Sequence, residues 1–250
     1  MIHFLAFLLS TTPMTCTPQE ARTIGEHIWM NESGKNPDKL ISWNAGEEFL
    51  SLGLGHCIWY PAGKEGPFVE TFPALVTFLK THGAILPAWL TSTPHCPWSS
   101  RTEYEAPAAR AKRNDLQTLL TATIDLQINF LIQRFEEAVP KILAAAPPER
   151  RAEIQAKITQ LMQTPAGKYA LLDYTNFKGD GTSPKERYTG QGWGLLQVLE
   201  AMPRNPSDPV KAFAESAQTL LKQRVAHAPP ERDEKRWLAG WINRVNTYLK

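Results

Sequence analysis

Cysteine is scarce in this chain, with three thiols, Cys16, Cys57 and Cys96, among 250 residues. Three thiols do not make a disulfide framework, so an apolar core has to hold the fold. If Cys16 is lost with a leader, Cys57 and Cys96 can pair in an oxidising compartment. Two buried thiols are the other reading. No Cys/His spacing has the pattern of a metal site, and the adjacent His56 and Cys57 would point to opposite sides of a strand. Charge of one sign is lacking too. The net charge is +2 and the basic residues gather into no run, which argues against nucleic acid as a partner. A mildly basic surface is still drawn to anionic polymers such as a cell wall. There is no Gly-Lys-Ser/Thr after a strand, so a phosphate-binding loop is excluded.

Long hydrophobic runs are also missing. Ile2 to Leu9 is apolar but too short to cross a bilayer, and no integral membrane span is expected. This run resembles the core of a secretory signal followed by small residues, which gives residues 1–16 the character of a leader and a periplasmic or secreted protein. It has no Lys or Arg before it and no Ala-x-Ala after it. A cytoplasmic location is therefore the alternative.

What is present is helix punctuation. Thr17-Pro18-Gln19-Glu20 reads as a capping box with proline in the first turn, and Ala21, Ile24 and Ile28 follow on one face. That helix is predicted to end near Glu32, with Gly34 as its stop. Residues 35–60 read as short β segments separated by Asn44-Ala45-Gly46 and later glycines, a small antiparallel patch. Gly53 and Gly55 alternate with Leu52 and Leu54, so one side of that strand carries no side chains and lets something approach closely. A short helix is predicted in "FPALVTFLKTHG", and the longest over residues 110–146, with Leu116, Leu120, Ile124, Ile128 and Leu131 on its stripe. Further helices are predicted from Pro148, Thr164-Pro165, near Gly192, Asp208-Pro209 and Glu231. No repeat and no long polar linker appears. The prediction is an α+β, mainly α fold, with residues 17–250 as one domain and a small antiparallel β-hairpin patch after the first helix.

The order of residues in this first segment is itself informative. A helix ending in Glu32 is followed by a hairpin with Asn44-Ala45-Gly46 and then by Ser51-Leu52-Gly53-Leu54-Gly55-His56. Over residues 24–56 this resembles the active-site segment of phage-type lysozymes, in which a helix-terminal Glu precedes an Asp in a hairpin and a Thr-x-Gly-x-Gly-His run. The resemblance implies a lysozyme-like fold that cleaves β-1,4-linked N-acetyl amino sugars, most plausibly peptidoglycan, with Glu32 as general acid. The residues agree with this. Glycosidic cleavage needs a carboxylic acid that keeps its proton near neutral pH, and a desolvated Glu beside Trp29 would do so. The ordinary alternative for Glu32 is a solvated residue at a helix end.

Two positions qualify the resemblance. Ser51 stands for the family's Thr and keeps the hydroxyl. Asn44 stands for the Asp and cannot act as a base. Glu47 or Glu48 in the same hairpin is then the candidate for ordering a nucleophile, with Asp173 and Asp180 more distant candidates. Lytic transglycosylases, which share the lysozyme-like fold, use one acid only, and Asn44 would then hold a sugar N-acetyl group. The implied activity is thus either muramidase or transglycosylase. His56 is expected to pack or hydrogen-bond beside the substrate, not to carry a proton.

A second segment, residues 173–202, is rich in glycine. "GQGWGLLQV" resembles a Gly-x-Gly-Leu-Met-Gln strip of goose-type lysozymes, although there the strip closely follows the catalytic Glu. Asn176, Lys178, Glu186, Tyr188, Gln191 and Trp193 offer hydrogen-bonding and stacking groups for a sugar. A plain inter-helix loop is the alternative. Trp43, Trp59 and Trp98 lie in loop or strand segments and are candidate stacking platforms, whereas Trp237 and Trp241 are expected in the core. No metal or nucleotide cofactor is called for. Two other readings remain open: a non-catalytic glycan-binding protein on the same fold, and an effector acting on a partner protein through its helical part.

Overall fold

The computed structural model describes residues 13–66 and 68–250. The leader-like run at residues 2–9 lies outside the described residues. The fold is mainly helical with a small antiparallel sheet, as predicted. Its residues group into two compact units, which the sequence does not separate. A sheet-bearing unit holds Cys16–Arg134 and Ser183–Gln191. A helical unit holds Phe135–Thr182 and Gly192–Lys250 together with residues 13–15.

In the sheet-bearing unit, α1 (Pro18–Ser33) starts and stops where its local chemistry dictates. The Thr17 hydroxyl accepts the Glu20 N–H at 3.1 Å, and the Glu20 carboxylate accepts the Thr17 N–H at 2.8 Å. Gly34 ends the helix in the left-handed region, φ 66°, where a Cβ would be strained. Then come β1 (Ile41–Ser42), β2 (Leu50–Leu52) and β3 (Cys57–Trp59), an antiparallel sheet in that order. Strand alternation sends Leu50, Leu52, Cys57 and Trp59 into a core with Leu40, Phe72 and Leu75. It turns Ser42, Ser51 and Ile58, which are register partners, to the opposite face.

The chain continues through α2 (Phe72–Thr81), α3 (Arg101–Glu105), α4 (Arg110–Ala122) and α5 (Ile124–Ala145). The single helix expected over residues 110–146 is therefore two. Side chains account for the break. The Thr123 hydroxyl donates to the Leu119 carbonyl at 2.8 Å, and Gln127 Nε2 donates to the Leu120 carbonyl at 2.6 Å. Those carbonyls are satisfied without a continuous helix.

The helical unit contains α6 (Arg151–Leu161), α7 (Pro165–Lys178), α8 (Leu195–Ala201), α9 (Pro209–His227) and α10 (Leu238–Asn246). A two-stranded ribbon, β4 (Arg187–Tyr188) and β5 (Gln191–Gly192), precedes α8 in the chain and, up to Gln191, groups with the sheet-bearing unit. Thr189 and Gly190 both take positive φ between its strands, 49° and 82°, as a tight hairpin turn requires. Helix α7 is the helical unit's central element, since every residue from Gly167 to Thr175 is buried. The helix expected from Glu231 is two 3-10 segments, Pro230–Arg232 and Glu234–Trp237, before α10. Asp233 at φ 44° separates them. Trp237 is consequently 51% exposed, not in the core.

Candidate active site

Glu32 sits in the last turn of α1, and its side chain is only 12% exposed. The helix that carries it is placed by contact with α5. A Cβ on Gly25 would overlap the Ile128 side chain, so glycine permits the close approach there. Arg22 also reaches Asp125 at 2.7 Å, but both side chains are exposed and the pair adds little. Across from Glu32, His56 Nδ1 stands 3.4 Å from its Oε2. The His56 backbone is left-handed at φ 48°, a conformation that costs a side-chain-bearing residue about 1–2 kcal/mol.

The run Gly53–His56 that presents His56 is a turn between β2 and β3, not a strand. Three hydrogen bonds fix it. The Gly53 N–H donates to the Leu40 carbonyl at 2.7 Å, and the His56 N–H donates to the Gly53 carbonyl at 3.2 Å. The Leu54 N–H donates to Gln127 Oε1 at 2.8 Å, inside the protein. Gln127 is 2% exposed, and its Nε2 also donates to Thr123 Oγ1 at 3.1 Å. Without it the Leu54 N–H would be a buried unpaired donor, at a cost of about 1–3 kcal/mol. Gly53 has φ 74°, and a Cβ there would lie 2.6 Å from Gln127 Oε1. The close approach expected at this glycine therefore does occur, but the approaching group is the protein's own glutamine and not a ligand.

The hairpin loop before β2 is stapled by Trp43, whose Nε1 donates to the Glu47 carbonyl at 2.7 Å. Asn44 is exposed, and its amide donates to Glu47 Oε2 at 2.9 Å. Glu48 points elsewhere: it is 73% exposed and pairs with Lys64 at 3.1 Å. Of the two hairpin acids, only Glu47 is tied to Asn44. Ser51 is buried on the middle strand, 4% exposed, on the sheet face away from the core. Gly55 is half-buried in the turn.

The tryptophans expected to stack on sugars do not present their faces. Trp43, Trp59, Trp98 and Trp193 are each 5% exposed or less. Trp43, Trp59 and Trp98 belong instead to the core under the sheet, with Leu40, Leu50, Leu52 and Leu75. Trp59 packs on Phe72 at 4.7 Å, and Trp43 and Trp98 both pack on Tyr104, at 6.2 and 5.3 Å. Cys57 and Cys96 are buried, unpaired thiols. Burial pushes Cys57 up from its ordinary value and Cys96 up to about 12.

The remaining candidates divide between the two units. Glu186, Tyr188 and Gln191, all half-buried, group with the sheet-bearing unit. Asn176, Lys178 and Trp193 belong to the helical unit. There the Lys178 ammonium lies 3.5 Å from the Trp241 ring centroid and 4.1 Å from that of Phe177. The Trp193 carbonyl accepts the Tyr174 hydroxyl at 3.0 Å. Asp173 is fully buried and accepts Arg244 through both oxygens, at 2.8 and 2.9 Å, with Tyr248 Oη at 2.6 Å. It is an anchor for the C-terminal segment and does not face water as a base would. Asp180 accepts the Thr182 N–H and hydroxyl at 2.8 and 2.7 Å, closing a local turn.

Gln127 and Gly25 went unrecognised in the sequence. The available signal for Gln127 was a polar residue seven after Leu120 and four before Leu131, within an apolar stripe. Among the described residues, no group of three or more His, Cys, Asp or Glu is placed to hold a metal ion, and no helix is long and apolar enough to cross a membrane. No family model, curated protein or solved structure matches this chain.

Proposed function

We propose that this protein cleaves β-1,4-linked N-acetyl amino sugars of peptidoglycan, with Glu32 as the general acid. The observation that carries the reading is the half-buried Glu32 carboxyl at the end of α1, opposite His56 at 3.4 Å. The local order of helix, acid, hairpin and Gly-x-Gly-His turn in the sequence supports it. Glu32 would give its proton to the leaving glycosidic oxygen. Asn44 takes no proton at ordinary pH, so it would serve by holding a sugar substituent. Its amide already engages Glu47 Oε2, which makes Glu47 the hairpin carboxylate available to order a water. If instead a hydroxyl of the sugar itself closes onto the anomeric carbon, no base is needed and the reaction is that of a lytic transglycosylase.

The test is digestion of purified peptidoglycan by wild type and by Glu32→Gln. Release of soluble fragments by wild type and a fall of at least about 100-fold in the variant are expected. Reducing ends in the products would mean hydrolysis, and anhydro ends would mean transglycosylation. Equal release by both proteins, or none by either, overturns the reading. The exposed Asn44 at the position of the family's acid favours one second reading, a glycan-binding protein without catalysis. It predicts sedimentation with peptidoglycan and no release of fragments by wild type.

A further inference from the structure

We infer that Gln127 is a positioning residue for the candidate active site, acting through the Gly53–His56 turn to set His56 against Glu32. The inference rests on the reading of Glu32 as the acid and adds a residue from a distant helix. Gln127 is held through both hydrogens of its amide nitrogen. Its Nε2 donates to the Leu120 carbonyl and to Thr123 Oγ1, and Thr123 in turn donates to the Leu119 carbonyl. The carboxamide is therefore locked in one orientation, with Oε1 aimed at the turn. Oε1 takes the Leu54 N–H at 2.8 Å, and the left-handed Gly53 leaves it room.

Two residues further on, His56 holds its own left-handed backbone and meets Glu32. The α4–α5 break supplies the anchor, and the same α5 packs on Gly25 of the helix that carries Glu32. One helix thus touches both the helix that carries Glu32 and the turn that carries His56. An Ala, Leu or Met at 127 could fill space but could not accept the Leu54 N–H.

The test compares wild type, Gln127→Met and Gln127→Glu as full chains. Gln127→Met keeps the volume and loses the acceptor, and Gln127→Glu keeps an acceptor oxygen. Each is first shown to be folded by circular dichroism at the assay temperature. Gln127→Met is expected to lower kcat on peptidoglycan roughly 10–100-fold with KM held, the size of effect from a displacement near 1 Å. Gln127→Glu should recover part of it. Amide exchange at Leu54 should be slow in wild type and fast in Gln127→Met.

A folded Gln127→Met with wild-type kcat overturns the inference. If wild type releases nothing from peptidoglycan, the proposed function fails instead, and the inference is then decided by NMR. Faster exchange at Leu54 together with moved His56 ring resonances in Gln127→Met supports it. Unchanged exchange, or His56 resonances that stay in place, overturns it.

Discussion

Glu32 and His56 face each other across 3.4 Å, one at the end of a helix and the other in a turn of the sheet, and the His56 backbone is left-handed. The fold tolerates a strained residue at the point where it meets the acid. Glycine would fit that backbone better. Strain of this kind is a recurrent property of functional sites.

Replacing His56 by Gly separates the two roles of the position. Relief of the left-handed strain is offset in part by glycine's larger loss of chain entropy, so stability should be unchanged or raised by up to about 1 kcal/mol. On the proposed function, release of peptidoglycan fragments should fall, because the imidazole opposite Glu32 is gone. Thermal melts and a fragment-release assay on the same preparation check both halves. A fall in stability would show that the ring, not the backbone, matters for folding.

In the helical unit, Asp173→Asn should be costly without bearing on chemistry. The buried carboxylate is gripped by the Arg244 fork and the Tyr248 hydroxyl. Burial together with the Asp173 charge holds the Tyr248 phenol well above its ordinary value. Removing the charge breaks a largely buried ion pair at the Arg244 guanidinium, and a loss of about 3–5 kcal/mol is expected by chemical denaturation. On the proposed function, any Asp173→Asn protein still folded under assay conditions should release fragments as wild type does, which would not hold if Asp173 were the base.

Glu153 gives the helical unit a pH dependence of known sign. Hydrogen bonds from Arg150 and Lys157 hold its carboxyl at about 2, below the ordinary 4.5. A depressed folded value means that the stabilisation is complete above the ordinary value and is lost as pH falls through about 2. Lys157 is 1% exposed on its side chain, and its ammonium also donates to the Leu199 and Met202 carbonyls at 2.8 Å. Glu153→Gln should therefore destabilise at pH 7 by about 1.5–3 kcal/mol, the range for a hydrogen bond to a charged group. Urea titrations at pH 7 and at pH 2–3 should show that difference shrinking with acid. A difference independent of pH would contradict the arrangement.

The parts of the fold that were legible in the sequence are those whose causes are local. Thr17, Pro18 and Glu20 cap α1 from within four residues, and Gly34 ends it with its own backbone. The Thr164-Pro165 and Asp208-Pro209 starts follow the same chemistry. The misread parts have distant causes. Gly53 reads as an open surface because its neighbour, Gln127, lies on a helix 73 positions further along the chain than Leu54. Trp43, Trp59 and Trp98 read as platforms because they lie in strands and loops. Their burial depends on Phe72 and Tyr104, whose positions no local pattern supplies. The break at Thr123 was hidden by an apolar stripe that runs through it, since periodicity records which face is buried and not whether the axis continues.

The contact at Gly25 has a mechanical consequence. Seven residues of helix separate it from Glu32, about 10 Å of rigid rod at 1.5 Å per residue. A larger side chain at 25 that tipped the rod by about 10° on Ile128 would swing the acid by roughly 2 Å, more than the displacement that costs enzymes about 100-fold. The smallest side chain in this segment thus works as a fulcrum, and the aim of the carboxyl group is decided two helical turns before it.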